Sequence, residues 1–393
     1  MFKKIEKYIF ENTSPETIHV SSNIKIKKVT NLDDFKEFFQ IPWLIYQDNE
    51  YWVPPFWDEM KRFFMESELF WTHSEAELFI AYKDNTAVGR VAAIVDHRFS
   101  KPGGKKIGFF GFFECIPDFN IASALLDVVQ KRLASKGMEE MHGPINGRVD
   151  IGCGFLLKGF ETTPYLIGHY SPEYYVDFAE KFKMKKSIDL VSYHIDLNQP
   201  IPLSTEEANR CCESNDVKIR RFNRFRHKKE MKWWVEMLME EFSDHYGYTS
   251  VSNEEVISRF GIKQLRWIVD PGLFLVAEID GKPIGFRWSL PDYNQVFKKL
   301  NGKLGFIGSL KVLLKKRHID RGRFIIMGIK KKYRGKGIGT CMNYYTLLEM
   351  KKRGYNCAEY GWIAENNIAS RRAGEKIGGK LYKIYRVYEK SLV

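Results

Sequence analysis

The stretch Phe324-Ile325-Ile326-Met327-Gly328-Ile329-Lys330-Lys331-Lys332-Tyr333-Arg334-Gly335-Lys336-Gly337-Ile338-Gly339-Thr340 runs from an apolar segment into three glycines at alternate positions. Its first six residues read as a buried strand. Ile338 to Arg353 has helical spacing, and Gly354 stops it. A glycine turn between a buried strand and a helix leaves backbone N–H groups free at the helix start, where the dipole also favours an anion. Glycines let the main chain approach a pyrophosphate with no Cβ in the way. Arg334 and Lys336 add positive charge. Two common phosphate loops are excluded, because there is no GxxxxGK[ST] and no GxGxxG followed by an acid about 20 residues on. What remains is Arg-x-x-Gly-x-Gly, from Arg334 to Gly339.

Working outward, the chain writes the same path twice. In the first half a strand (24–29) leads to a helix (33–46), a hairpin (78–82 and 88–95), a strand (107–116) and a helix (121–136) ended by Gly137. In the second half a strand (217–221) leads to helices (232–242 and 253–269), a hairpin (273–279 and 283–290), the strand 324–329 and the helix 338–353. Helix-then-strand patterning closes both halves, at 174–193 and 370–388. The expected organisation is an N-terminal arm (1–23), a first αβ domain (24–198), a proline-containing polar linker (199–216) and a second αβ domain (217–393). At the junction matching the glycine loop the first half reads Pro117-Asp118-Phe119-Asn120-Ile121-Ala122. The arginine and the glycines are missing and Asp118 would repel phosphate, so only the second domain is expected to bind the anion.

Of the 393 residues, 44% are hydrophobic and 28% charged, which excludes disordered and fibrous classes. No apolar run reaches the roughly 18–20 residues of a membrane span. The start has no signal-peptide pattern, and the six cysteines show no metal-ligand spacing, so a reducing cytoplasm is the expected setting. The net charge of +13 concentrates between Lys298 and Lys336, with a second basic stretch from Lys218 to Lys232, which implies an anionic partner. Segment 305–317 is amphipathic if helical: Phe306, Leu310, Leu313 and Leu314 share one face beside Lys311 and Lys315. Three roles are equally open to it: peripheral contact with an anionic membrane at the inner surface, capping an acyl pocket, or packing on the sheet.

The glycine loop in this context resembles the acyl-CoA pyrophosphate loop of the GNAT N-acyltransferase superfamily. The resemblance narrows along nearly the whole chain, through Tyr51-Trp52-Val53-Pro54-Pro55, His142-Gly143-Pro144-Ile145-Asn146, Leu157-Lys158-Gly159-Phe160, His169-Tyr170-Ser171-Pro172-Glu173-Tyr174-Tyr175, Glu359-Tyr360-Gly361-Trp362-Ile363-Ala364-Glu365-Asn366-Asn367 and Leu381 to Tyr388. These stretches are similar to a tandem-GNAT family of N-acyltransferases that includes the bacterial ceramide synthase, a sphingoid-base N-acyltransferase. The resemblance implies an α/β (α+β) fold of two tandem GNAT-like domains, each a mixed, mostly antiparallel sheet flanked by helices. It implies acetyl-CoA or a longer acyl-CoA as co-substrate, no metal, and a small-molecule amine or lipid-like acceptor. The implied cofactor residues are Gly328, Ile329, Lys330, Arg334, Gly335, Lys336, Gly337, Ile338, Gly339, Thr340 and Asn367. Many GNAT enzymes carry an acid tyrosine seven residues after an asparagine in the final helix. Counting from Asn367, that position is Gly374, and the space it leaves suits either a bulky acyl chain or a tight helix contact.

Amide formation needs a base, an oxyanion donor and a proton for the leaving thiolate. Backbone N–H groups around Gly328 and Ile329 are the expected donors, Glu359 and Glu365 the candidate bases, and Tyr385, with Tyr388, the candidate acid. Cys357 reads better as a buried thiol than as a nucleophile. His142 and His169 flank an insertion peculiar to the first half, where an acceptor pocket between the domains is expected. Rival readings are a CoA-sensing or membrane-surface module without turnover, and an aminoacyl-tRNA-dependent transferase. The intact loop argues against the latter and makes nucleic acid an unexpected partner.

Overall fold

The computed structural model describes residues 7–11, 13–99, 104–242, 254–255 and 270–393. In chain order the first half runs β1 (Thr17–His19), β2 (Ile24–Lys28), α1 (Leu32–Ile45), α2 (Trp57–Phe63), β3 (Ser74–Lys83), β4 (Thr86–Asp96), β5 (Ile107–Cys115), α3 (Phe119–Ser135), β6 (Glu140–Gly143), β7 (Phe155–Lys158), α4 (Tyr174–Lys181) and β8 (Lys185–Asp196). The second half runs α5 (Thr205–Glu213), β9 (Lys218–Arg221), α6 (His227–Phe242), β10 (Phe274–Ile279), β11 (Lys282–Pro291), α7 (Gly305–Lys315), β12 (Arg321–Ile329), α8 (Ile338–Lys352), β13 (Cys357–Ala364), α9 (Ile368–Lys376) and β14 (Lys380–Ser391). The expected α/β architecture with mostly antiparallel sheet is what forms. The helix expected over 253–269 lies outside the described residues apart from 254–255.

The chain divides into two compact units that are discontinuous in sequence. One holds Met1–Asp189, Val296–Leu313 and Ile384–Val393; the other holds Leu190–Gln295 and Leu314–Lys383. In the first unit β2–β3–β4–β5 pair antiparallel and β5 pairs β6 in parallel. One sheet face is covered by α3, whose Ile121, Leu125, Val129 and Leu133 recur at helical spacing and are fully buried. Asp118 caps that helix by accepting from the Asn120 N–H.

In the second unit β9, β10, β11 and β12 pair antiparallel and β12 pairs β13 in parallel. Strand alternation sends Phe274, Phe286 and Trp288 to one face, where Trp234 of α6 packs among them with ring centroids about 6 Å apart. Leu275, Ala277 and Ile284 pack instead with Ile338 and Met342 of α8. The stretch read from sequence as a linker holds helix α5, started by a capping box between Ser204 and Glu207 and seated through Ala208 on Cys341 and Tyr344.

Each unit is completed by the final strand of the other half. Residues 190–196 of β8 pair with β13, Glu359 lying opposite His194, whereas β14 pairs through Tyr388 and Glu389 with Gly143 and His142 of β6. A fragment spanning 199–393 therefore lacks the strand that covers one edge of β13. We expect it to show no cooperative thermal transition by circular dichroism, and a transition matching that of the full chain would contradict the exchange.

Candidate acyl-transfer site

In the second unit the parallel ladder between β12 and β13 runs through Arg321–Cys357, Gly322–Ala358, Arg323–Glu359 and Phe324–Tyr360, then stops, although the strands continue to Ile329 and Ala364. Beyond that point Ile325, Ile326, Met327 and Trp362 are only half-buried. The Lys330 N–H bonds the Ile284 carbonyl, 2.9 Å, on the β11 side. Alternation then turns the polar groups of Gly328 towards β11 and those of Ile329 and Met327 towards the opening. Accordingly the Ile329 carbonyl, facing away from β11, accepts from Arg334 Nε at 2.9 Å. Of the expected donors, the Gly328 group therefore faces β11 and the Ile329 group faces the opening, with Met327 on the same side as Ile329.

The loop that follows is built to present backbone. Gly335 and Gly337 have φ of +78° and +81°, and Gly337 occupies the N-cap position of α8 with no side chain capping the helix. A Cβ on Gly339 would stand 3.1 Å from Met327 Cε, so glycine sets the close helix–strand approach. Ile338 is buried beneath the loop, Thr340 follows in the first helical turn, and Lys336 is exposed with Nζ 5.8 Å from the Tyr333 ring centroid. Arg334 does not extend as a free cation: its Nη2 pairs with Glu241 Oε2 at 2.7 Å, so it pins the loop to the end of α6. Lys330, Lys331, Lys332 and Lys336 add positive charge around the loop.

The expected catalytic residues separate. Glu359 is buried, with Oε1 2.8 Å from Arg323 Nη1, and its Oε2 accepts from the Tyr382 hydroxyl. Across the strand pair stands His194, half-buried, with its ring 5.7 Å from that of Tyr382. Burial is the largest influence on this imidazole and lowers its pKa from 6.5, against the opposing pull of Asp196 and Glu359. A neutral, accessible imidazole beside a fixed carboxylate is a stronger candidate base than Glu359 itself, whose oxygens are already engaged. His194 falls in the closing strand of the first half, so nothing in its local sequence marks it. Glu365 is half-buried at the end of β13, where its carbonyl accepts from Arg371. Asn367 caps α9, accepting from the Ser370 N–H at 3.1 Å. Tyr385 belongs to the other unit, buried against His169 and donating to the His169 carbonyl at 3.2 Å; Tyr388 packs in the same unit's core. His169 Nε2 itself donates to the Gly154 carbonyl. Cys357 sits at the paired start of β13.

Gly374 leaves no room for an acyl chain. A Cβ there would come 2.7 Å from Cδ1 of Tyr360, whose ring fills the space and whose hydroxyl lies 3.1 Å from Ser370 Oγ. The Tyr360 and Phe324 rings also stack with the buried Arg287 guanidinium, at 4.8 and 4.2 Å from the ring centroids. Burial lowers the Arg287 pKa to about 10, which leaves it charged near neutrality, and its Nε and Nη2 have no hydrogen-bond partner among the described residues. Arg287 stands opposite Met327, beside the open part of β12.

The corresponding place in the first unit is closed. The Ile116 N–H bonds the Val88 carbonyl as Lys330 bonds Ile284, which makes Cys115 the counterpart of Ile329. There the Cys115 N–H donates to the Tyr175 hydroxyl at 2.8 Å and the Tyr174 hydroxyl donates to the Cys115 carbonyl at 2.8 Å. The counterpart of Gly328 is Glu114, half-buried near Arg90 and accepting from Tyr46 and Tyr175, with desolvation raising its pKa to about 7. Only residues 116–118 separate β5 from α3, against 330–337 between β12 and α8. Among the described residues, Glu140, His142 and Glu389 form the one group with metal-ligating chemistry. His142 Nε2 lies 2.9 Å from Glu140 and 3.5 Å from Glu389, Ser187 lies 3.3 Å from Nδ1, and Lys105 pairs with Glu140, so an Nε2–H shared by the carboxylates accounts for the cluster without an ion.

Residues 233–378 match the model of the acetyltransferase (GNAT) family. The chain carries a GNAT-family domain. That GNAT domain contains the open strands, the glycine loop and most of α6, and the match leaves the closed first-half counterpart outside it. Over nearly its full length the chain is similar to two curated proteins. One is the bacterial ceramide synthase of Caulobacter vibrioides (strain NA1000 / CB15N), 28% identical, with 95% of this chain and 98% of that protein covered. The other is Protein YghO of Escherichia coli (strain K12), 27% identical, with 93% and 95% covered. Among solved structures, a tandem GNAT protein from the clavulanic acid biosynthesis pathway superposes with a TM-score of 0.57 at 10% identity, covering 94% of this chain and 99% of that one. The fold is therefore that of a tandem GNAT protein, as the resemblance implied. In the GNAT domain, Gly374→Ala should cost about 1–3 kcal/mol in chemical denaturation by displacing Tyr360; unchanged stability would mean that the ring has another place to go.

Proposed function

We propose that the protein is an acyl-CoA-dependent N-acyltransferase, moving an acetyl or longer acyl group to the amine of a small or lipid-like acceptor, in the cytoplasm. The observation that carries this reading is the pairing of an uncapped glycine-rich helix start with a strand opening one element upstream. The free donors of residues 335–340 suit a pyrophosphate, and the open-side groups of Met327 and Ile329 suit the amides and carbonyl of a thioester-linked arm. The unpartnered donors of buried Arg287, next to the opening, call for an oxygen acceptor of the same kind. No metal is needed for this chemistry. The lipid-like acceptor rests on the similarity to a protein named ceramide synthase, and the half-buried apolar residues along the opening are compatible with more than an acetyl group.

In this reading His194, which stands opposite Glu359 across the strand pair, accepts the proton from the attacking amine. The amine nitrogen forms its bond to the acyl carbon, the carbon–sulfur bond breaks, and the thiolate takes a proton from the Tyr360 hydroxyl. Tyr360 thereby does from the strand what the residue at Gly374 does not do from the helix. Tyr385 and Glu365 have no role in the transfer, and the first unit serves as scaffold.

The test is thiol release from acetyl- through palmitoyl-CoA with pooled amines, including sphingoid bases and polyamines. We expect turnover that Gly337→Glu abolishes, since a side chain there is strained by φ and meets Cys211 Sγ at 3.1 Å. Acyl-CoA binding without turnover over every amine would favour the sensing module instead. The pH profile supplies a second check. Because burial depresses the His194 pKa, the imidazole stays neutral to below pH 6.5, so the rate should fall on the acid side with a midpoint under 6.5. His194→Gln should lower kcat by about 10²–10⁴-fold and remove that limb. An unchanged limb would exclude His194 as the base.

A further inference from the structure

α7 leaves its apolar face in water. Phe306 is 86% exposed, Leu313 60%, Leu314 61% and Leu310 47%. At positions i, i+4, i+7 and i+8 these four side chains occupy one arc of about 100° on the helix. Lys311 lies beyond one edge of that arc, with Lys303, Lys315, Lys316 and Arg317 at the two ends of the helix, all exposed. The opposite side is packed at its start: a Cβ on Gly308 would meet the Lys303 carbonyl at 2.9 Å. The root of the helix is fixed within the first unit, where Asn301 accepts from Trp43 Nε1 at 2.8 Å and Phe297 packs edge-on against Phe56. A short helix anchored at its base with an apolar face turned outwards is not explained by the folding of this unit.

The same chemistry recurs in the second unit, on a different element. Asn223 Oδ1 accepts from the N–H groups of Phe225 and Arg226, which fixes a tight turn with Phe225 at its tip, 88% exposed. Arg226, Lys228 and Lys229 beside it are exposed. Each of the two units thus carries an outward phenylalanine ringed by cations. An acidic protein would be met by the cations alone, and a nucleic acid has no use for four aliphatic and aromatic side chains along one helix. Large apolar groups bordered by lysine and arginine match a bilayer surface with anionic headgroups, where the apolar groups enter the acyl boundary and the cations stay at headgroup level.

We propose that α7 and the Phe225 turn are membrane-docking elements that bind an anionic bilayer surface peripherally. Among the described residues no helix is long and apolar enough to cross a membrane, so docking is by partial insertion. Its use would be to bring the site to a lipid-borne amine, and to that extent the inference rests on the lipid-like acceptor proposed above; the binding itself does not.

The experiment is co-sedimentation of the full chain with vesicles of phosphatidylcholine alone and of phosphatidylcholine mixed with phosphatidylglycerol. We expect binding to the mixed vesicles, weakened about tenfold or more both by omission of the anionic lipid and by high salt. The triple variant Phe306→Ser, Leu313→Ser, Leu314→Ser should lose about tenfold or more of that binding, and Phe225→Ser should lose part of it. Both variants should keep the melting temperature and the thiol release measured with a water-soluble amine. Binding to mixed vesicles that neither variant alters would overturn the proposal, as would absence of vesicle binding, or salt-sensitive binding to RNA or DNA alone. Failure of thiol release with intact vesicle binding would sink the transferase reading and leave the docking surface standing.

Discussion

The parallel hydrogen bonds between β12 and β13 end at Phe324–Tyr360, and the proposed chemistry depends on that break. A sheet satisfies its backbone by pairing. Where two neighbouring strands part, each offers a row of donors and acceptors that must find water, protein or a ligand. Here the row on β12 is kept open: β11 takes up Gly328 and Lys330, so Ile329 and Met327 are turned outwards, and the glycine loop continues the exposed backbone into the uncapped start of α8. The side chains nearby reinforce the opening. Arg334 is anchored on Glu241, Gly339 admits α8 against β12, and Tyr360 fills the place beneath Gly374.

The first unit shows how the same frame is shut. It repeats the parting of β5 and β6 after Phe109–His142, yet Tyr174 and Tyr175 of α4 satisfy Cys115, and Glu114 with Arg90 fills the position where the second unit has only Gly328. Two hydroxyls and a half-buried carboxylate replace what a ligand would supply. The loop before α3 is too short to wrap an anion and carries Asp118, which is bonded to Lys83. Each half lends its last strand to the other unit, so a residue of the first half can serve the second unit's frame. His194 reaches Glu359 by that route.

Much of this was legible in the sequence. The repeat of strand, helix, hairpin, strand and helix follows from periodicity and from glycine stops such as Gly137 and Gly354, which adopt φ of +75° and +76°. The glycine loop was legible because its proposed function is carried by backbone, and glycine spacing advertises backbone. Residues that act through side chains brought together over long sequence distances were not. His194 and Glu359 are neighbours only through strand pairing, Arg334 is diverted by a glutamate 93 positions away, and Tyr385 lies on the stretch of β14 that crosses into the other unit. The ambiguity at Gly374 needed the position of one ring, Tyr360, to settle.

The central claim is that one of two related frames is open to acyl-CoA and the other is sealed by its own side chains. Isothermal titration of the full chain with CoA tests it most directly. The account predicts one CoA per chain, lost in Gly337→Glu and retained in Tyr175→Phe. Two equivalents per chain, or binding that survives Gly337→Glu, would contradict it.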